Sequence, residues 1–246
     1  MLEIKNLSVN VEETPVLQNV SLACTPWKNY CLLGKNGSGK SSLALTIMWH
    51  PAYEIVAWDI LVDGLSLQEM EPHERAQKGI FLAFQTIPEI PGVKLFEFLR
   101  TIYNAAHQTK ESFVTFKKII LPLLDEVNID KEFLWRDLNV GFSGGERRKV
   151  EILQLRLLKP TYIMLDEVDS GLDVDAFKAV AQLLKEIDSK DNSFIIVTHY
   201  FSILEYLPVD EVYILEKWTI TQQGGKELAA YVQTQGFNGS KKDTEE

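Results

Sequence analysis

Gly34-Lys35-Asn36-Gly37-Ser38-Gly39-Lys40-Ser41 carries the pattern GxxxxGKS, and its flanks decide how it folds. Upstream, Tyr30 to Leu33 is a short apolar run of strand character. Downstream, Ser42 to Trp49 holds helix-forming Leu, Ala and Met and stops at His50-Pro51. Strand, glycine loop and helix in that order make a phosphate-binding loop. The glycines let the backbone curl so that several N–H groups converge on phosphate oxygens at the positive end of the helix. Gly34, Lys35, Asn36, Gly37, Ser38 and Gly39 are therefore expected to cradle a nucleoside triphosphate. Lys40 is expected to reach the β and γ phosphates, Ser41 to place its hydroxyl on Mg²⁺, and Ser42 to approach the α phosphate. A plain surface turn would leave this glycine run and the helix terminus without a use.

Further along the chain, Tyr162-Ile163-Met164-Leu165-Asp166-Glu167 reads as a buried strand that emerges with two adjacent acids. In a doubly wound sheet, that end of a strand holds the active groups. Beside a phosphate loop, Asp166 is expected to hold Mg²⁺ through its water shell. Glu167 is expected to act on the attacking water as general base or as its orienting group. The remaining pattern alternates. Strands are expected at Asp59 to Val62, Ile80 to Phe84, Phe194 to Val197 and Glu211 to Leu215, with a polar strand at Thr219 to Thr221. Helices are expected at Glu146 to Leu158, Val174 to Ile187 and Lys226 to Thr234. Gln68 to Gly79 reads as a polar connection. From Gly92 to about Leu138 the pattern turns helical, with Leu95, Phe96, Phe98, Leu99 and Ile102 at helical spacing and a second amphipathic run from Phe113 to Leu124.

With 25 Lys and Arg against 35 Asp and Glu, the net charge of −10 argues against diffuse attraction to nucleic acid or to an anionic membrane face. A nucleotide is an easier ligand than a duplex. Cys24 and Cys31 cannot build a disulfide framework and fit two buried strand positions. The start, MLEIKNLSV, lacks an apolar signal run, and no stretch approaches eighteen uninterrupted apolar residues. The expectation is a cytoplasmic protein without a membrane span, and a chain length suited to one α/β domain with an insertion.

Further strings complete a family resemblance. Asn139-Val140-Gly141-Phe142-Ser143-Gly144-Gly145-Glu146 resembles the signature loop of ATP-binding cassette (ABC) ATPases. Gln85 matches that family's Q-loop glutamine, Ser170-Gly171-Leu172-Asp173 its D-loop, and His199 its switch histidine. The resemblance covers nearly the whole chain. It implies a single P-loop ABC ATPase domain over 1–246, with a parallel-sheet core, antiparallel N-terminal strands and a helical subdomain inserted at about 92–158; the polar residues at about 239–246 read by themselves as a frayed tail. It also implies Mg-dependent ATP hydrolysis using Lys40, Gln85, Glu167 and His199, with Ser41, Gln85 and Asp166 at the metal. Two copies are implied to close head to tail over two ATP molecules. In that arrangement Ser143, Gly144 and Gly145 form a backbone nest for the γ phosphate held by the other copy.

Within the family the chain looks most like the SufC group of the SUF iron–sulfur cluster assembly system. The carrying strings are Gly79 to Gln85, Glu89-Ile90-Pro91-Gly92-Val93, NVGFSGGE at 139–146, LDEVDSGLD at 165–173 and Ser193 to Tyr200. Most transport members have Pro-Thr after the catalytic glutamate, where this chain has Val168-Asp169. That resemblance implies SufB-like and SufD-like scaffold proteins as partners. The alternative is the cytosolic motor of a membrane transporter, docked near Gln85 and the insertion. The chain departs from the family at Trp27-Lys28-Asn29-Tyr30, where Gly-Glu is usual, and at Trp49-His50-Pro51, where a glycine is usual. It also lacks the usual adenine-stacking aromatic near Thr14-Pro15-Val16.

Overall fold

A computed structural model describes residues 1–198 and 201–237, apart from the side chain of Trp58. His199 and the tail expected from about residue 239 lie outside the described residues. The chain opens with β1 (Leu2–Val11) and β2 (Thr14–Cys24), then β3 (Tyr30–Leu33), α1 (Lys40–Ile47), β4 (Glu54–Val62), β5 (Leu65–Ser66) and α2 (Pro72–Gln77). Next come β6 (Ile80–Ala83), β7 (Ile90–Lys94), α3 (Leu95–His107), α4 (Phe113–Glu126), β8 (Asp137–Leu138) and α5 (Gly144–Leu158). The described part ends with β9 (Tyr162–Asp166), α6 (Val174–Ile187), β10 (Ser193–Val197), β11 (Glu211–Glu216), β12 (Thr219–Gly224) and α7 (Lys226–Gln235).

A six-stranded sheet in the order β12-β11-β3-β10-β9-β6 forms the centre, with the five strands from β11 to β6 parallel and β12 an antiparallel edge. Parallel strands covered on both faces read as continuous apolar runs, and every residue of β3, β9 and β10 is buried. Their side chains alternate between two cores. Cys31, Leu33, Ile163, Leu165, Phe194 and Ile196 face α3, α4, α5, α6 and α7. Tyr30, Leu32, Tyr162, Met164, Ile195 and Val197 face α1 and the N-terminal strands. Those strands form an antiparallel sheet, β2-β1-β4-β5. This is the expected fold: a parallel core, antiparallel N-terminal strands and a helical layer.

Cys24 and Cys31 occupy buried strand positions as expected, and burial pushes both thiols up, Cys31 to about 12. Two-residue turns close the hairpins at Glu12-Glu13 and Lys217-Trp218, with both residues of each pair at positive φ. Such turns usually contain Asn or Gly, so neither announced itself in the sequence. Two tryptophans, in the stretches 27–30 and 49–51 where the resembled family usually has glycine, also take left-handed backbone, Trp27 at φ 67° and Trp49 at φ 61°. Trp49 is covered by the Arg75 guanidinium, 4.7 Å from its ring centre.

Two expectations need correction. Gln68 to Gly79 is not merely a connection, because Pro72 opens α2 and Glu71 and Glu74 form a reciprocal capping box at its start. Gly92 does not begin a helix. It lies at φ 82° within β7, where its N–H and the Lys94 ammonium donate to the Asp137 carboxylate at 2.9 and 2.8 Å, pinning β7 to β8.

Candidate functional site

The register sets the site. Val197 pairs with Asp166 and with Leu32, and Ala83 pairs with Leu165, so β3, β6, β9 and β10 end at one edge of the sheet. The segments leaving that edge are the phosphate loop, Phe84-Gln85 and Asp166-Glu167. In an open parallel sheet, that edge is where ligands bind.

The loop's shape depends on its glycines. A β-carbon at Gly34 would collide with the Leu215 carbonyl oxygen, and one at Gly39 would lie 2.6 Å from the Val16 carbonyl oxygen. Gly39 also takes φ 106° as the N-cap of α1 and has no side chain to close the helix end. The first N–H groups of α1 therefore face the loop without a side-chain cap. Gly37, at φ 76°, has open space where a side chain would be. Ser38 Oγ is buried without a hydrogen-bond partner among the described residues. An orphaned hydroxyl and uncapped amides are the donor set that phosphate oxygens satisfy, so these residues fit a nucleoside triphosphate.

Lys40 is 5% exposed, and its ammonium donates to the carbonyl oxygens of Gly34 at 2.8 Å and Lys35 at 3.2 Å. Burial holds the ammonium below its ordinary value, opposed by the nearby Glu167 and Asp166 carboxylates. The side chain is thus folded against its own loop, beside the place where phosphate charge would lie. Ser41 Oγ donates to Asp166 Oδ1 at 3.0 Å. Asp166 is 4% exposed, and burial pushes its carboxyl up, opposed first by that Ser41 bond. A hydroxyl and a carboxylate oxygen in contact form the start of a hard-cation site and fit Mg²⁺. Ser42 follows, partly exposed, on the same helix.

Gln85 Nε2 donates to Glu167 Oε2 at 2.7 Å, so two of the four expected catalytic groups meet directly. Glu167 takes φ 47°, a left-handed backbone that costs a residue with a β-carbon about 1–2 kcal/mol. Its N–H donates to the Val197 carbonyl at 2.9 Å, and its own carbonyl accepts the Ser170 N–H at 3.0 Å. These bonds hold the turn that sends the carboxylate back towards the strand ends. No sequence signal marks it, because glutamate has no preference for that conformation. The turn just before Ser170 is tied to the same edge through Thr198 Oγ1, which donates to Asp169 Oδ2 at 3.2 Å.

Ser143, Gly144 and Gly145 have a different neighbourhood. Added β-carbons would lie 3.4 Å from the Gly171 carbonyl oxygen at Gly144 and 3.2 Å from Ala176 Cβ at Gly145, so this helix start packs on the D-loop and α6. Ser143 caps α5: its hydroxyl accepts from the Glu146 N–H, and its own N–H donates to Glu146 Oε2 at 2.7 Å. The Ser143 N–H is therefore already occupied. A phosphate at this nest would meet the exposed Ser143 hydroxyl and the Gly144 and Gly145 amides. Among the residues the sequence did not single out are Arg148 and Glu151 on α5. They form a buried pair against the backbone of Phe84 and Gln85.

A parallel sheet with a phosphate loop after β3, paired acids at the end of β9 and a capped glycine pair at the start of α5 is the fold of P-loop nucleoside triphosphatases. The family model described as ABC transporter matches residues 17–170, and the chain belongs to that family as an ATP-binding protein. It is 43% identical over 242 residues to a probable ATP-dependent transporter of Synechocystis sp., covering 97% of this chain and 94% of that protein. It is 40% identical over 242 residues to the probable ATP-dependent transporter Ycf16 of Cyanophora paradoxa, covering 97% and 93%. Its fold matches the dimeric ATP-binding cassette MJ0796, solved with ADP and phosphate, at a TM-score of 0.77. That match has 19% identity and covers 92% of this chain and 98% of that one. No helix among the described residues is long and apolar enough to cross a membrane.

Proposed function

We propose that this chain binds Mg-ATP in the loop at 34–42 and hydrolyses its terminal phosphate bond, as the motor subunit of a larger assembly. The observation that carries the reading is the 2.7 Å bond from Gln85 to Glu167, one residue beyond the carboxylate that meets Ser41. Lys40 releases the Gly34 and Lys35 carbonyls to bind the β and γ phosphates. Ser41, Asp166 and Gln85 are the residues that would hold Mg²⁺. When bound, the cation offsets the charge on the phosphate oxygens. Glu167, aimed by the Gln85 amide, accepts the proton of the attacking water, and His199 bonds the γ phosphate. Glu167→Gln should lower the initial rate of ATP hydrolysis about 100-fold or more while leaving ATP affinity near wild type. Wild-type turnover in a folded variant would remove Glu167 from this role.

Two copies closing head to tail place the Ser143 turn of one over the γ phosphate held by the other. The dimeric state of the MJ0796 cassette supports a two-copy assembly. The Ser143 hydroxyl is exposed and available for such a contact. A groove of about 830 Å³, lined in part by Phe84, Ile87, Pro88, Phe98, Ile102 and Leu138, gives a driven partner somewhere to sit beside Gln85.

Two partner readings have separate support. The relatives named as probable ATP-dependent transporters favour a membrane transporter subunit. A SufB-like and SufD-like scaffold for iron–sulfur cluster assembly is favoured by the strings at 89–93, 139–146 and 165–173, including Val168-Asp169, whose Asp169 is bonded to Thr198. Co-purification of the native complex, with its members identified by mass spectrometry, separates them. Membrane-spanning partners sink the scaffold reading, and scaffold proteins without them sink the transporter reading.

A further inference from the structure

Arg148 and Glu151 lie one and two turns into α5, in a charged stretch that looks solvent-facing in the sequence, yet they are only 4% and 6% exposed. Arg148 Nη1 donates to Glu151 Oε2 and to the Phe84 carbonyl, each at 2.6 Å. Arg148 Nη2 donates to the Gln85 carbonyl at 3.0 Å, and Glu151 Oε1 accepts the Phe84 N–H at 3.1 Å. The pair thus holds three backbone groups of a two-residue segment whose own side chains are exposed. β6 has already ended at Ala83, so the sheet does not fix this segment. From there the Gln85 amide reaches Glu167.

Stability is a weak reason for such a pair. Taking two charges out of water costs about as much as their attraction returns, and neutral replacements of similar size are often tolerated. Position is a better reason. A planar guanidinium can grip adjacent carbonyls and a carboxylate at once, fixing a loop that would otherwise drift.

We propose that Arg148 and Glu151 are positioning residues for ATP hydrolysis: by clamping the Phe84-Gln85 backbone to α5, they set the Gln85 amide against the Glu167 carboxylate. The inference rests on the proposed hydrolytic role of Glu167. It makes the aim of that carboxylate depend on where α5, the helix that begins at Ser143, sits relative to β9.

The test is a double-mutant cycle on the full chain with Mg-ATP. Arg148→Met combined with Glu151→Gln keeps the volume and the acceptor for the Phe84 N–H, but removes the donors to both carbonyls. Turnover should fall about 10- to 100-fold, the scale expected when a catalytic group is displaced by about an ångström. Affinity for a fluorescent ATP analogue should change by less than about twofold, and the thermal midpoint should not drop. In a Gln85→Ala background the same pair of changes should cost less than about twofold more, because the group it positions is gone. Arg148→Lys, which keeps the charge but not the fork, is the companion variant if the double change does not fold. It should give an intermediate loss of turnover that likewise disappears in the Gln85→Ala background. Turnover within about twofold of wild type, or an equal fold-loss with and without Gln85, would overturn the inference alone. A wild-type chain that binds Mg-ATP and never turns it over would overturn the hydrolytic reading, and this one with it.

Discussion

Asp166→Asn should make the nucleotide-free protein more stable and the Mg-ATP-bound protein less so. Asp166 is 4% exposed, accepts one bond from Ser41 at 3.0 Å, and has its carboxyl pushed up by burial. Removing the charge ends a desolvation cost of several kcal/mol and the repulsion from Glu167, against which the Ser41 bond and the Lys40 and Arg148 charges set a partial offset. The change also turns a charge-assisted bond into a neutral one, a loss of about 1 kcal/mol. The net is a gain on the order of 1 kcal/mol, or roughly 2–4 °C for a chain of this size. Mg-ATP at roughly 100 times its Kd should then stabilise the wild type by about 2.7 kcal/mol and the variant by much less. Thermal unfolding of both proteins, with and without Mg-ATP, should therefore show their order of stability reverse. A variant that melts below wild type without nucleotide would make Asp166 a structural anchor. Equal stabilisation by Mg-ATP would remove it from the metal site.

Gly39→Ala should cost roughly 3 kcal/mol, because its β-carbon would combine strained backbone with a 2.6 Å contact to the Val16 carbonyl. Gly37→Ala meets no atom within 4 Å and should cost only about 1–2 kcal/mol; denaturant titration compares them, and equal losses would refute the close approach. Glu146→Gln should cost about 0.5–1 kcal/mol at neutral pH by weakening the cap on Ser143. The Ser143 N–H holds the Glu146 carboxyl below its ordinary value, so this stabilisation is full above the unfolded value of about 4.3 and is lost as pH falls through the folded one. The difference between wild type and variant should close in acid, and a difference that widens there would contradict the cap.

Much of the site was legible because its chemistry constrains residue types. Only glycine tolerates the backbone at Gly39, and a buried strand that ends in two acids needs a reason for them. The alternation of Tyr162 to Leu165 between two cores follows from strand geometry once both faces are covered. The hidden parts depend on tertiary context. The left-handed turn at Glu167 is held by Val197 and Ser170, and local propensity does not predict it. Arg148 and Glu151 are spaced like an ordinary exposed helix pair, and only the packing of α5 against the end of β6 buries them. Glu146 looked like a neighbour of the anion nest, yet its side chain occupies one of the nest's donors. α2 was different: Pro72 and the Glu71–Glu74 box are readable start signals inside a segment whose polarity suggested a loop.

In the proposed head-to-tail assembly, one ATP is enclosed by the phosphate loop of one copy and the Ser143 turn of another. Asn36 and Ser143 are both exposed, while Cys24 and Cys31 are buried and poor thiolates, so introduced cysteines can report on this contact without competition. The measurement is disulfide formation between differently tagged Glu167→Gln chains, one carrying Asn36→Cys and the other Ser143→Cys. A covalent heterodimer should form with Mg-ATP and not with Mg-ADP or without nucleotide. Absence of that product while the chains bind Mg-ATP, or its equal formation without nucleotide, would rule out a site shared between two copies.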